Sequence, residues 1–308
     1  MNDEKLGALL VLIAATGLGT LGILGRLAFD MGLTIPTTLA LRFSIGSVVF
    51  YLLLGINQIR ERKGKETRPE ADSYRPFHFL TGRNLIVGVG LGAFGYAVMS
   101  GLFFWGYRFM SVGMVAIVFY MYPIFVVMIA AIFLKEKVTQ YTAIALALAF
   151  GGVALIAGAD PVHTDPRGVT IVLGAAIVYA SYVTASRSML STVDSRVLTA
   201  YVLPSAAATF LIYGKITDQL MLPATAYGWA VGFTLAIVAT VIPVFAFLNG
   251  LSRIGAVRAS ILSTFEPVVA VVLGATLLHD SVTLATILGG ILILVGAILA
   301  NKRHRSVA

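Results

Sequence analysis

Two ionisable side chains, Arg42 and Glu266, stand inside long apolar runs of this sequence, and chemistry is to be sought first around them. A charge at the centre of an apolar helix in hydrocarbon costs at least roughly 2.5 to 3.5 kcal/mol unless it is paired or hydrated. Glu266 precedes Pro267, whose ring removes a backbone hydrogen bond and frees a carbonyl one turn earlier, so a polar, hydrated opening is expected there. Ser260, Ser263 or Thr264, and Pro267 recur at helical spacing and make one polar stripe. A second stretch, with Ala116, Phe119 or Tyr120, and Pro123, offers an aromatic wall to face it. Further stripes are Tyr96 with Ser100 and Tyr179 with Tyr182 and Ser186, joined by the single Asn249. Singly, each is explained as a headgroup-level tyrosine or a serine bonded to its own helix. Together they predict a pocket that is apolar but carries hydroxyls, formed by Tyr96, Ser100, Tyr120, Tyr179, Tyr182, Asn249, Ser260, Ser263 and Glu266 and suited to a small amphipathic molecule. A sugar phosphate would want clustered Lys and Arg at depth, and only Arg42 is there. A hydrophobic cation would want an acid in an aromatic box, and Glu266 supplies the acid. Arg42 itself reads as structural, snorkelling to the interface or tying loops together.

The elements that must position these residues follow from composition. The chain has 308 residues, of which 12% are charged, about half the roughly 25% usual in soluble domains. With 58% hydrophobic residues and a mean hydropathy of +0.93, it reads as an integral membrane protein, which excludes soluble enzymes and nucleic-acid binders. The absence of cysteine excludes disulfides, thiolate zinc sites and thiol catalysis. Ten apolar spans are expected: Leu6 to Ala28, Thr34 to Ile56, Asn84 to Tyr107, Val112 to Leu134, Thr139 to Gly158, Val169 to Leu190, Val197 to Tyr213, Ala226 to Leu251, Ala256 to Leu278 and Thr283 to Ala300. The first follows Met1-Asn2-Asp3-Glu4-Lys5, which is no basic leader, so it is kept as a helix. The one long connection, Asn57 to Arg83, carries seven basic residues against four acids and reads as a loop on an anionic membrane face. With the N-terminus inside, seventeen basic residues fall on the cytoplasmic side and four outside, which places both termini in the cytoplasm of an inner-membrane protein and explains the net charge of +8.

Residues Ser111 to Thr139 superpose on Gly255 to Thr283 at a constant offset of 144, pairing Pro123 with Pro267, Leu134 with Leu278 and Lys135-Glu136 with His279-Asp280. The register extends to Gly106/Gly250 and Gly152/Gly296, and at an offset of 161 Gly7 to Arg26 matches Gly168 to Arg187. Two copies of five helices follow, residues 1–160 and 161–308. Because five is odd, the second copy enters the membrane from the opposite side, giving two inverted repeats, the arrangement of carriers that alternate access around a midplane site. Pro123 and Pro267, equivalent in the two copies, are the expected gating pivots.

These residues resemble the drug/metabolite transporter superfamily in its ten-helix EamA form. The family's pattern of a small residue, proline and an apolar run ending in Leu-x-Glu matches Ala116, Pro123 and Leu134-Lys135-Glu136, and again Ala259, Pro267 and Leu278-His279-Asp280. Its helix-two arginine matches Arg42, and the basic ends of helices one and six match Arg26 and Arg187; Asp280 and Tyr201 depart from the pattern. The resemblance implies a carrier exporting small metabolites, most like bacterial exporters of aromatic or apolar amino acids. Efflux of hydrophobic cations is the alternative cargo, and a passive pore or membrane scaffold the alternative outside transport. No enzymatic activity, cofactor, metal or nucleic-acid partner is expected, and the partners are a small-molecule substrate and membrane lipid. Oligomeric state, direction and ion coupling stay open at this stage. Gly17-Leu18-Gly19-Thr20-Leu21-Gly22 satisfies a dinucleotide pattern, but no strand precedes it, so its glycines read as close-packing positions. Trp105 and Trp229 read as interfacial anchors.

Overall fold

The computed structural model describes residues 3–67, 78–109, 115, 118–135, 139–158, 165–277 and 284–302. Ala116, Glu136, Asp160, Leu278, His279, Asp280, positions 68–77 of the long connection and the chain beyond 302 lie outside the described residues. The described residues form helices and no strand. In chain order they are α1 (Asp3–Asp30), α2 (Ile35–Thr67), α3 (Gly82–Gly106), α4 (Tyr122–Leu134), α5 (Gln140–Gly158), α6 (Pro166–Met189), α7 (Ser195–Ile216), α8 (Ala226–Ile254), α9 (Ala256–Ser263), α10 (Glu266–Leu277) and α11 (Leu284–Lys302). Six of them, α1, α2, α3, α6, α7 and α8, are long and apolar enough to cross a membrane, and α4, α5 and α11 carry shorter apolar stretches.

Helix starts follow local chemistry. Asp165 and Asp194 each accept the N–H two residues on, from Arg167 at 2.8 Å and Arg196 at 2.7 Å, which satisfies donors that a helix N-terminus leaves open. Gly255, at φ +81°, turns the chain between α8 and α9 in a conformation that side-chain-bearing residues rarely adopt.

The first expected span is interrupted at Thr20, whose N–H bonds Gly17 O at 3.2 Å, and two others are interrupted, each just before its proline. Before Pro267, Phe265 N–H bonds Leu262 O at 3.2 Å and Val268 N–H bonds Phe265 O at 3.1 Å, three residues back instead of four. Before Pro123, Met121 N–H bonds Val118 O at 3.2 Å and Ile124 N–H bonds Met121 O at 3.0 Å. The two sets of bonds are related by the same offset of 144. Three helices also contain wider π-helical turns: Leu91–Tyr96 in α3, Ala130–Leu134 in α4 and Ile237–Val241 in α8.

The bundle packs α1 on α8, α2 on α7, α3 on α6 and α5 on α11, with α4 against α6 and α10 against α1. Small residues set the closest approaches. A methyl group on Gly250 would stand 2.6 Å from Val11 Cγ2 and 2.7 Å from the Gly7 carbonyl, and one on Gly19 would stand 2.8 Å from Val269. Such distances leave no room for a side chain, which is the packing role the glycine-rich run of α1 was expected to have.

Candidate functional site

Among the described residues Arg42 is the largest fully buried side chain, 1% exposed. It neither snorkels nor ties loops together, in contrast to the sequence expectation. Its Nε donates to Thr240 Oγ1 at 2.6 Å, and its Nη2 donates to the Ala239 carbonyl at 2.9 Å and the Tyr96 hydroxyl at 3.4 Å. The reason lies in α8. Pro243 has no N–H, so carbonyls one turn earlier lack their helical donor, and Ala239, four residues back, is one of them. The π-helical turn at Ile237–Val241 brings Thr240 alongside, its hydroxyl donating in turn to Leu235 O at 2.8 Å. The same device recurs in α7, where Pro204 frees the Ala200 carbonyl and Tyr51 donates to it at 2.6 Å.

Arg42, Tyr96, Ser100, Tyr179 and Glu266 line one cavity, completed by Phe103, Phe104, Phe119, Met99 and the α1 residues Leu18 and Leu21. Its volume is about 30 Å³, in the range that holds water and not an organic solute. The Tyr120 hydroxyl faces the Glu266 carboxylate. An aromatic cluster walls the site: Tyr179 packs edge-on to Tyr122 at 4.8 Å, lies 5.5 Å from Phe119 and stacks on Tyr182 at 5.9 Å, while Tyr182 lies 5.3 Å from Tyr96. Phe43 joins Tyr96 to Phe210 beyond it. Helix α6 places Tyr179 and Tyr182 on one face because they are three residues apart.

Of the residues expected from sequence, Tyr96, Ser100, Tyr179 and Glu266 therefore meet at one cavity, and Tyr120 and Tyr182 lie against its lining. Ser260 and Ser263 are buried beside it, with hydroxyls turned onto their own helix at Val257 O (2.8 Å) and Ala259 O (3.0 Å). The Tyr122 hydroxyl donates to Ser260 O at 3.2 Å, linking α4 to α9. Asn249 stands apart. It accepts from Arg253 Nε at 2.9 Å and lines a separate polar vestibule of about 1200 Å³, shared with Asn57, His78, Asn84, Asp194 and Arg253. At that end of the bundle Arg253 pairs with Asp3, Arg258 lies 3.7 Å from Glu4, and Arg187 donates to Ser252 O at 2.6 Å. Pro123 and Pro267 are both buried at the interrupted turns. Thr240 and the carbonyl of Ala239 were missed from sequence, although Pro243 in mid-span signals a freed carbonyl.

A family model described as the EamA-like transporter family matches residues 5–158 and again residues 166–302. The chain belongs to the EamA-like transporter family. It is a multi-pass membrane protein of a transporter family. An uncharacterized transporter of Bacillus subtilis, YcbK, is 26% identical over 300 residues, covering 94% of this chain and 90% of its own. A second, from Archaeoglobus fulgidus, is 28% identical over 223 residues, covering 70% and 76%. A probable terminal-alkyne amino-acid exporter of Streptantibioticus cattleyicolor is 26% identical over 220 residues, covering 69% and 71%. A chain solved by crystallography shares the fold with a TM-score of 0.75 at 19% identity, covering 96% of this chain and 98% of that one.

Proposed function

We propose that this chain is a carrier that exports small amphipathic solutes, amino acids with aromatic or apolar side chains foremost, by alternating access. The observation that carries the reading is the aromatic cavity holding Arg42 and Glu266, to which residues of both family matches contribute. A wall of Phe103, Phe119 and Tyr179 suits an apolar side chain, and buried hydroxyls with two ionic groups suit a polar head. The amino-acid exporter among the relatives supports that cargo.

The moving parts in this reading are two inverted five-helix halves, residues 1–160 and 161–308, of a ten-helix bundle. Three features support it. The interrupted turns before Pro123 and Pro267 stand in the same register, and so do the π-helical turns, since Leu91–Tyr96 advanced by 144 overlaps Ile237–Val241. Repeat mates also pack on each other's helices: Gly152 lies against Gly289 and Ile293 of α11, and Gly296 against Ala145 and Ala149 of α5. The end carrying Asp3, Arg187 and Arg253 is assigned to the cytoplasm of the inner membrane, with both termini there, so the vestibule would open inward.

Counterflow of radiolabelled phenylalanine in proteoliposomes tests this. Saturable flux competed by unlabelled amino acids is expected. Linear, uncompeted flux would mean a pore, and absence of flux of any solute a scaffold.

A further inference from the structure

The Arg42 guanidinium is fixed through only two of its three nitrogens. Nε is held by Thr240 and Nη2 by Ala239 O and Tyr96, whereas Nη1 meets no acceptor among the described residues. Arg42 lines the cavity, so the donors it leaves unused are placed to meet a ligand there. Glu266 lines the same cavity, and no ion pair joins the two; the ion pairs recorded among the described residues lie towards helix ends, at Asp30, Asp194, Asp3 and Glu4. One cavity thus holds a guanidinium and a carboxyl group that make no direct ion pair.

We propose that this cavity is a zwitterion site, in which Arg42 Nη1 anchors the carboxylate of the solute and Glu266 its ammonium group. The proposal rests on the carrier reading above and adds the residue that selects the cargo. A solute with a single charge would balance one wall and leave the other ion desolvated and unmatched, while a zwitterion balances both. Arg is suited to the carboxylate because its planar fork presents donors in fixed geometry. Here the fork is already clamped by α3 and α8, so little side-chain entropy remains to be lost when the solute binds. Tyr96 and Thr240, the two hydroxyl partners, are separated by 144 residues, the repeat offset, so the clamp joins equivalent points of the two halves. A cavity of about 30 Å³ does not hold a whole amino acid, so its lining, to which Phe119 belongs, must open to admit one. Phe119 sits beside the interrupted turn that precedes Pro123, where the backbone has fewest helical bonds to break.

The test uses the full chain in proteoliposomes and three competitors of one radiolabelled aromatic amino acid: phenylalanine, phenylalaninamide, which lacks the carboxylate, and 3-phenylpropionate, which lacks the ammonium. Wild type is expected to bind phenylalanine most tightly. Arg42→Gln should weaken phenylalanine by roughly ten- to a hundredfold, the worth of hydrogen bonds to a charged group, and leave phenylalaninamide nearly unaffected. Arg42→Lys, which keeps the charge and loses the fork, should fall between, and it carries the test if Arg42→Gln does not fold. Glu266→Gln should weaken phenylalanine and spare 3-phenylpropionate. Thr240→Val removes one clamp bond but no cavity charge, so it should weaken phenylalanine less than Arg42→Gln does and leave phenylalaninamide nearly unaffected. Equal weakening of all three competitors in both Arg42 variants would overturn the proposal, because it is what a purely structural arginine gives. A wild type that prefers phenylalaninamide would overturn the zwitterion site and leave a carrier of cations. A wild type that binds none of the three would overturn the cargo reading together with it.

Discussion

Tyr179 sits in the cavity wall against Phe119, Tyr122, Tyr182 and Phe247. Aromatic pairs contribute roughly 0.5 to 1.5 kcal/mol beyond area burial, so loss of the ring should weaken a bound aromatic solute several-fold. Tyr179→Ala is expected to raise the half-saturation concentration in counterflow by about threefold to tenfold, and Tyr179→Phe by much less, because the phenyl face is retained. Equal effects of the two would assign the contribution to the hydroxyl. Tyr179 and Glu266 were legible as residues because a hydroxyl or carboxylate in an apolar run is conspicuous in sequence. Arg42 was legible as a residue but expected to snorkel or to tie loops, whereas it is buried. Its acceptors lie on α8, 197 and 198 positions along the chain, and nothing near it in sequence announces them.

At the scale of the helix, three prolines carry separate predictions. Pro123 and Pro267 follow turns in which the backbone is already bonded three residues back, so a half-helix beyond each can swing with few bonds to break. Pro123→Ala and Pro267→Ala should slow turnover while leaving expression and solute affinity close to wild type, measured as exchange rate against half-saturation; normal turnover in both would place the pivots elsewhere. Pro243 acts through a bond that it does not make. Pro243→Ala would supply an N–H that competes with Arg42 for the Ala239 carbonyl. Removing a helix-interior proline gains up to about 3 kcal/mol, and loss of a hydrogen bond from a charged group costs about 1.5 to 3 kcal/mol, so the two nearly cancel. The melting temperature should therefore change little while solute affinity falls. A stabilised variant with unchanged affinity would show that the freed carbonyl does not position Arg42.

At the scale of the molecule, the assigned topology depends on charge asymmetry alone, and the cysteine-free sequence makes it easy to probe. A cysteine introduced at position 65, in the basic connection, should resist an impermeant thiol reagent on intact cells and react after the membrane is opened, while one at position 219, between α7 and α8, should react from outside. Labelling of position 65 from outside would invert the assignment. The 217–221 segment is held against α2 by Thr34 and Thr37, whose hydroxyls donate to Gln219 O at 2.6 and 2.8 Å.

Sequence by itself determined the membrane class, most helix positions and the shared register of Pro123 and Pro267, because apolar run length, proline and repeat register are properties of local order along the chain. It also named Tyr96, Ser100, Tyr179 and Glu266 of the cavity, but not Phe103 or Phe104. Only the tertiary structure decided which of them meet: Asn249 went to the polar vestibule, Ser260 and Ser263 turned their hydroxyls onto their own helix, and Arg42 came to the cavity. The reason is that a side chain's partners across a bundle are fixed by helix rotation and by which carbonyls remain unbonded. In this chain the glycine contacts of α1, α5, α8 and α11 and the missing N–H of Pro243 set those two quantities, through neighbours far apart in sequence.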